Sequence, residues 1–319
     1  MKNRKRLRRG FSCYPLSPVP YPLSVLALAV LLAPAVPTHA ALCSDRPLDL
    51  LLTNDDGIAA PGLEALRDRL RAKGHRVTVA APDYNASGSS TSVTWRNVRV
   101  TRDEGDAQSF AVAGTPATAV VLAATALYPD GTGPDLVISG INDGDNAGTL
   151  LVVSGTVGAA LAGSILLDPP IPGIAFNAPR PDRGNPVDAP GNRAHLAQAA
   201  DYFVRFVEAA RGWFCEGGDV VRARTVLNVN YPPLPVERVR GTVVTHQGRV
   251  PDLRVQYVDA GNGEYSARLT PMAVARDDVD SDRSRLEAGY VSVTPVSATL
   301  DDQAAPRRAL ARRLRKLDP

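Results

Sequence analysis

Short apolar runs alternate with helical segments along this chain, and that alternation limits what it can fold into. "LDLLLT" (48–53), "HRVTVAA" (75–81), "DLVIS" (135–139), "IPGIAF" (171–176) and "TVLNVNYP" (225–232) read as strands. Between them Gly62 to Lys73, "PATAVVLAATALY" (116–128), "GTVGAALAGSILL" (155–167) and His195 to Trp213 read as helices. A strand that is apolar at nearly every position is buried on both faces, and strands joined through helices of ten or more residues run parallel. The expected core is therefore a doubly wound α/β fold with a mostly parallel sheet. Two stretches depart from this pattern. "NAPRPDRGNPVDAPGNR" (177–193) is dense in Pro, Gly and charge and reads as a surface loop. From Arg238 to about Pro295 the pattern changes to short strands with turn signals, "RGTVVTHQG", "LRVQYVDAGNGEYSARL" and "GYVSVTP", which suggests hairpins appended to the core. In the tail, Leu310, Leu314 and Leu317 recur at helical spacing among arginines, as in a packed terminal helix with a solvated basic face.

The first forty residues follow a different logic. "MKNRKRLRRGF" is basic, "SVLALAVLLA" is apolar and "PTHA" ends in a small residue at Ala40, which is the order of a secretory signal. The apolar run is too short for a stable membrane anchor, and Pro34 follows it directly. "RRGF" (8–11) also resembles part of a twin-arginine export signal, so either export route is open. The expected mature chain begins near Ala41 and is periplasmic or secreted. The segment also accounts for the charge: the chain has 36 basic and 33 acidic residues, six of the basic ones precede Ala40, and the remaining 30 against 33 give −3. The basic balance thus reports targeting and gives no argument for binding a nucleic-acid polymer. Cys13 leaves with the signal, and Cys43 and Cys215 remain as a candidate disulfide in an oxidising compartment.

In open parallel sheets, ligand sites form beyond the carboxyl ends of the strands. After "LDLLLT" the chain places Asn54, Asp55 and Asp56 there. Adjacent carboxylates repel unless a proton or cation intervenes, and a hard divalent metal prefers such oxygens. The loop "DYNASGSSTS" with Ser87 follows the second strand, and "INDGDNAG" with Asn142 and Asn146 follows "DLVIS". "SGTVGAAL" then starts a helix at Ser154, Gly155 and Thr156, a form suited to phosphate. No His or Cys lies on these loops, which argues against zinc and for magnesium, manganese or calcium. Each piece alone reads as a helix cap or a turn; together they outline a phosphate and metal site.

"LLTNDDGIAAPGLEAL", "VAAPDYNASGSSTSVT", "GTPATAV", "DLVISGINDGDNAG", "SGTVGAALAG", "LNVNYP" and "GYVSVTP" occur in the order seen in the SurE family, the survival-protein phosphatases that act as 5'/3'-nucleotidases, and the resemblance runs from about Leu48 to Leu300. It implies a Rossmann-like core over 41–237 and a 238–319 extension of hairpins and a C-terminal helix that takes part in oligomerisation. It also implies one divalent metal per subunit, hydrolysis of nucleoside monophosphates or other small phosphomonoesters, and a homodimer or homotetramer. Asp55, Asp56, Ser87 and Asn142 match the family's metal ligands, and Asp55, Asp56 and Asn142 its catalytic centre. Asn54, Asn146 and Ser154 to Thr156 match groups lining its phosphate pocket. A broad acid phosphatase or exopolyphosphatase, or a non-catalytic nucleotide binder, remain alternatives. Two departures stand out. Where the family usually has Gly-Pro-Asn after the metal asparagine, this chain reads "DGDNAG", which places Asp143 and Asp145 beside the pocket, where they would oppose polyanionic substrates. Thr118 stands where the family has a carboxylate.

Overall fold

Leu50, Leu51 and Leu52 are all fully buried, yet they serve two different cores. Side chains alternate across a strand. Leu50 and Leu52 therefore pack with Leu63, Leu66, Leu70, Phe203 and Val207 on one face, while Leu51 packs with Val120, Val137, Ala159 and Ala162 on the other. This is the two-sided burial that a continuous apolar strand implies, with each leucine contributing about 1.5–3 kcal/mol by transfer. The computed structural model describes residues 42, 44–128, 133–215, 224–251, 253–272 and 276–298.

The first strand, β1 (Asp49–Thr53), pairs in parallel with β2 (Arg76–Pro82) on one side and β5 (Leu136–Asn142) on the other. Beyond β2 lie β4 (Ser109–Val112), parallel, and β3 (Val100–Arg102), antiparallel. Beyond β5 lie β6 (Gly173–Asn177) and β7 (Thr225–Asn230), both parallel, then β11 (Val291–Ser297), antiparallel to β7, and β8 (Thr242–Val244). The order is β3-β4-β2-β1-β5-β6-β7-β11-β8. The chain leaves β1 toward β2 but returns to add β5 on β1's opposite side, so the direction of winding reverses between β1 and β5. Ligand crevices form at such a reversal.

Helices cover both faces. On the Leu50 side, α1 (Pro61–Ala72) starts with proline at its first position, where a missing N–H costs nothing, and buries Leu63, Leu66 and Leu70 at helical spacing. It packs with α4 (Pro190–Cys215), whose Phe203 stacks on Phe176 of β6 at 4.2 Å. Gly62 is obligatory at the start of α1, since a Cβ there would stand 2.1 Å from the Ile141 carbonyl oxygen of β5. On the Leu51 side lie α2 (Pro116–Leu122), continued by a π-helical turn to Leu127, and α3 (Gly155–Ile165).

Three features differ from the sequence expectation. Helix α4 begins at Pro190 rather than near His195, because the Asn192 side chain donates to the Asp182 and Pro186 carbonyls and ties the preceding loop to the first turn. Strands β3 and β4 were not expected; each is four residues or fewer and a charged stretch separates them. Beyond residue 238 the chain is not appended as one piece. Strands β8 and β11 join the main sheet, and α5 (Asp282–Glu287) leads into β11, while β9 (Leu253–Gly261) and β10 (Glu264–Pro271) form a separate antiparallel hairpin. The expected signal (1–40), Cys43 of the expected bridge, the Cys215 side chain and the C-terminal helix lie outside the described residues. Among the described residues no helix is long and apolar enough to cross a membrane.

Candidate active site

Asp55 and Asp56 leave β1 at the reversal point and diverge. The Asp55 carboxylate turns toward α3: its Oδ1 accepts the Thr156 hydroxyl at 2.6 Å, and the amides of Gly155 and Thr156 also act on it. The Asp56 Oδ2 turns toward the loop after β5 and accepts the Asp143 amide at 3.0 Å. One pair of adjacent residues therefore joins three elements at the sheet's carboxyl edge. Burial raises the Asp55 carboxyl, against the opposing hydrogen bonds from Thr156. Burial, with the Asp55 charge next in weight, pushes Asp56 up to about 6; the Asp143 amide and the Arg180 charge pull the other way. Both carboxylates are thus held in a setting that disfavours uncompensated negative charge.

The remaining expected residues fall into two groups. Asn142 ends β5 and borders the same hollow as Asp56. Ser154 caps α3, its hydroxyl accepting the Val157 amide at 3.1 Å, and Gly155 permits a close approach that no other residue would allow. A Cβ at 155 would stand 2.8 Å from both Asp55 Oδ2 and Ser89 Oγ. Asn54 and Asn146, by contrast, act on the framework. The Asn54 amide donates to and accepts from the Gly57 backbone, locking a turn in which Gly57 has φ of +106°. The Asn146 amide donates to Asn177 Oδ1 at 2.7 Å, and its backbone joins Asn228 and Asn230 in a buried asparagine cluster. Ser87 is exposed, its amide held by Asn85.

Two residues at the site escaped sequence reasoning. Ser89 lies in the same hydroxyl-rich loop, and its buried Oγ has no hydrogen-bond partner among the described residues. It was masked by Ser87, two positions earlier, which carries the motif. Arg180 belongs to the loop read as surface, yet its Nε stands 2.9 Å from Asp143 Oδ1 and its charge acts on Asp56. No sequence signal links two residues 37 positions apart.

Among the described residues no cluster of three or more His, Cys, Asp or Glu is placed to hold a cation. The candidate set has two carboxylates and is completed by amide and hydroxyl oxygens: Asp55, Asp56, Asn142 and the serines of the 83–92 loop. The unpartnered Ser89 oxygen and the raised carboxyls fit a hard divalent cation, and the all-oxygen donors do not suit zinc.

The model for the survival protein SurE family matches residues 50–252. The chain belongs to the SurE family. It is 40% identical to the protein named 5'-nucleotidase SurE 1 of Burkholderia lata, over 82% of this chain and 96% of that one. It is 39% identical to 5'-nucleotidase SurE of Symbiobacterium thermophilum, over 79% and 93%. The crystal structure of the SurE protein from Aquifex aeolicus superposes with a TM-score of 0.65 at 33% identity, covering 82% of this chain and 99% of that one. Against the SurE pattern, the two additional aspartates take on a different meaning. Asp143 pairs with Arg180, and Asp145 pairs with Arg283 at 2.9 Å and Arg183 at 3.3 Å, so the expected repulsion of polyanions is largely neutralised. Thr118 binds the Thr94 amide and the Thr115 hydroxyl and thereby ties the loop before β3 to α2.

Proposed function

We propose that this SurE chain is a metal-dependent phosphomonoesterase that hydrolyses nucleoside 5'- or 3'-monophosphates to nucleoside and phosphate. One observation carries the reading: where the sheet reverses its winding, Asp55 meets the N-terminus of α3 while the adjacent Asp56 borders a hollow with Asn142. Asp55, Asp56, Asn142 and a serine of the 83–92 loop, Ser87 by the SurE resemblance or the unpartnered Ser89, would hold the cation, magnesium or manganese by donor type. When bound, a divalent cation supplies a Lewis acid for a phosphoryl oxygen and lowers the pKa of water. The chain's own groups do the positioning. Thr156 fixes one Asp55 oxygen and the Asp143 amide fixes one Asp56 oxygen, so each carboxylate keeps a set orientation toward an incoming phosphoryl group. The amides opening α3 point at negative charge already, and the charge building on the phosphoryl oxygens would be held at the same positive helix end.

The order of basic, apolar and small residues before Ala41 supports export, so the enzyme would work in the periplasm or outside the cell. The test uses protein recovered from the extracytoplasmic fraction, its first residue read by N-terminal sequencing. Turnover of 5'-AMP, 3'-AMP, an aryl phosphate and polyphosphate is compared with magnesium or manganese and with chelator. The expected result is a mature start near Ala41 and chelator-sensitive release of phosphate, fastest from a nucleotide. Faster turnover of the aryl phosphate or polyphosphate would make this a broad phosphatase, and no metal-stimulated turnover on any substrate would make it a binder. An intact Met1 on cytosolic protein would overturn the location.

A further inference from the structure

Behind Asp56 the structure opens a hollow of about 170 Å³. Asp56, Asn142 and the Asp143–Arg180 pair line it together with the start of α1 and the first turns of α4. We propose that this hollow is the leaving-group subsite, taking the flat, largely apolar base of the nucleoside in its depth and the ribose at its mouth. The proposal rests on the nucleotidase reading and adds to it where the alcohol half of the substrate goes.

Position is the first argument. The anion-attracting side of the centre is the α3 side, where Thr156 and the α3 amides meet Asp55. The hollow lies on the other side of Asp56, against α1 and α4, so a phosphoryl group held at α3 has its ester oxygen free to point into it. Size is the second. An apolar cavity of ~150 Å³ accepts one benzene-sized ring, so a hollow of this size has room for a flat ring system.

Chemistry is the third. Pro61, Ile141, Ala178, Val187 and Leu196 line the hollow, with no charge among them. His195 completes the wall. Its ring is buried, neither nitrogen has a hydrogen-bond partner among the described residues, and burial holds it below the ordinary imidazole pKa. The inner surface therefore suits an uncharged aromatic guest, and a chain of further phosphates would find no cation there. The one guanidinium among the lining residues, Arg180, is already engaged with Asp143 and the Asn185 carbonyl.

Ala60 and Val187 line the hollow from partly exposed positions, so enlarging them fills it. The test compares wild type, Ala60→Leu and Val187→Phe in two measurements. The first is binding of adenosine, which lacks a phosphate, by calorimetry on the full mature chain in chelator. The second is KM and kcat for AMP against glycerol 2-phosphate with metal present. Expected are adenosine binding by wild type that weakens tenfold or more in both variants, a similar rise in KM for AMP, and glycerol 2-phosphate turnover within about threefold of wild type. Unchanged adenosine binding and AMP KM in both variants would overturn the proposal. So would an equal loss on both phosphate substrates, which would assign the hollow to the centre itself. If no substrate is turned over but adenosine binds wild type and not the variants, the catalytic reading fails while the subsite stands.

Discussion

Burial and the neighbouring Asp55 charge move the Asp56 carboxyl from 3.8 to about 6, so the native state holds that proton more tightly than the unfolded chain does. For a carboxyl raised in this way, its contribution to metal-free stability is greatest below pH 3.8, falls as pH rises toward 6 and is constant above. At roughly 1.4 kcal/mol per unit, the loss is on the order of 3 kcal/mol. Asp56→Asn removes the charge while its amide oxygen can still accept the Asp143 amide. In chelator at pH 8 the variant should therefore melt higher than wild type, and the pH slope between 4 and 6 should flatten. Magnesium or manganese should stabilise only the wild type, and the variant, like Asp55→Asn, should lose turnover on the order of a hundredfold or more. Thermal unfolding at the two pH values and metal-stimulated phosphate release check both halves; near-normal turnover would remove the mutated residue from the ligand set. The paired aspartates were legible in the sequence because two like charges after a buried strand have few explanations. Ser89 and Arg180 were not, because their roles depend on which distant groups they meet.

The elements show where local reading succeeds and where it stops. Strand β1, helix α1 and helix α3 carry their own evidence: continuous apolar residues, a proline start with leucines at helical spacing, and a serine cap. The 142–146 loop announces its asparagines but not its ion pairs, and the 178–187 loop reads as a charged surface loop. Only the fold shows that Asp143 and Asp145 on one are clasped by Arg180 and Arg183 on the other, with Arg283 of α5 beside them. Read singly, Asp145 is a free charge opposing polyanions; read in place, it is the centre of an ion-pair network with both it and Arg283 mostly buried. Asp145→Asn separates the two readings. It removes the carboxylate shared by Arg183 and Arg283, at a cost of about 1–3 kcal/mol in urea unfolding. The clasped geometry predicts no gain in tripolyphosphate turnover relative to AMP. A several-fold gain with unchanged stability would restore the free-charge reading.

For the whole molecule, the β9–β10 hairpin poses the open structural question. Its register places Val255 opposite Leu269, Tyr257 opposite Ala267 and Asp259 opposite Tyr265, and residues directly opposite share a face. One face is therefore largely apolar, while the other carries Arg254, Gln256, Arg268 and Thr270. Val255, Tyr257, Tyr265 and Leu269 are all more than half exposed, although a two-stranded hairpin alone is marginal in water. An exposed apolar face of this kind needs a cover. The sequence showed the hairpin through "DAGNGE" and its flanking strands, but a period-two pattern cannot say whether the covering surface belongs to the same chain. A second copy of the chain is the cover that the SurE resemblance implies, and the amphipathic face supports it. Sedimentation of the mature protein should then give a dimer or tetramer. Tyr257→Lys combined with Leu269→Lys, which makes the apolar face basic without touching the main sheet, should shift it to monomer while the core's unfolding transition persists. A wild type that sediments as a monomer at micromolar concentration would leave the hairpin face uncovered and the assembly reading wrong.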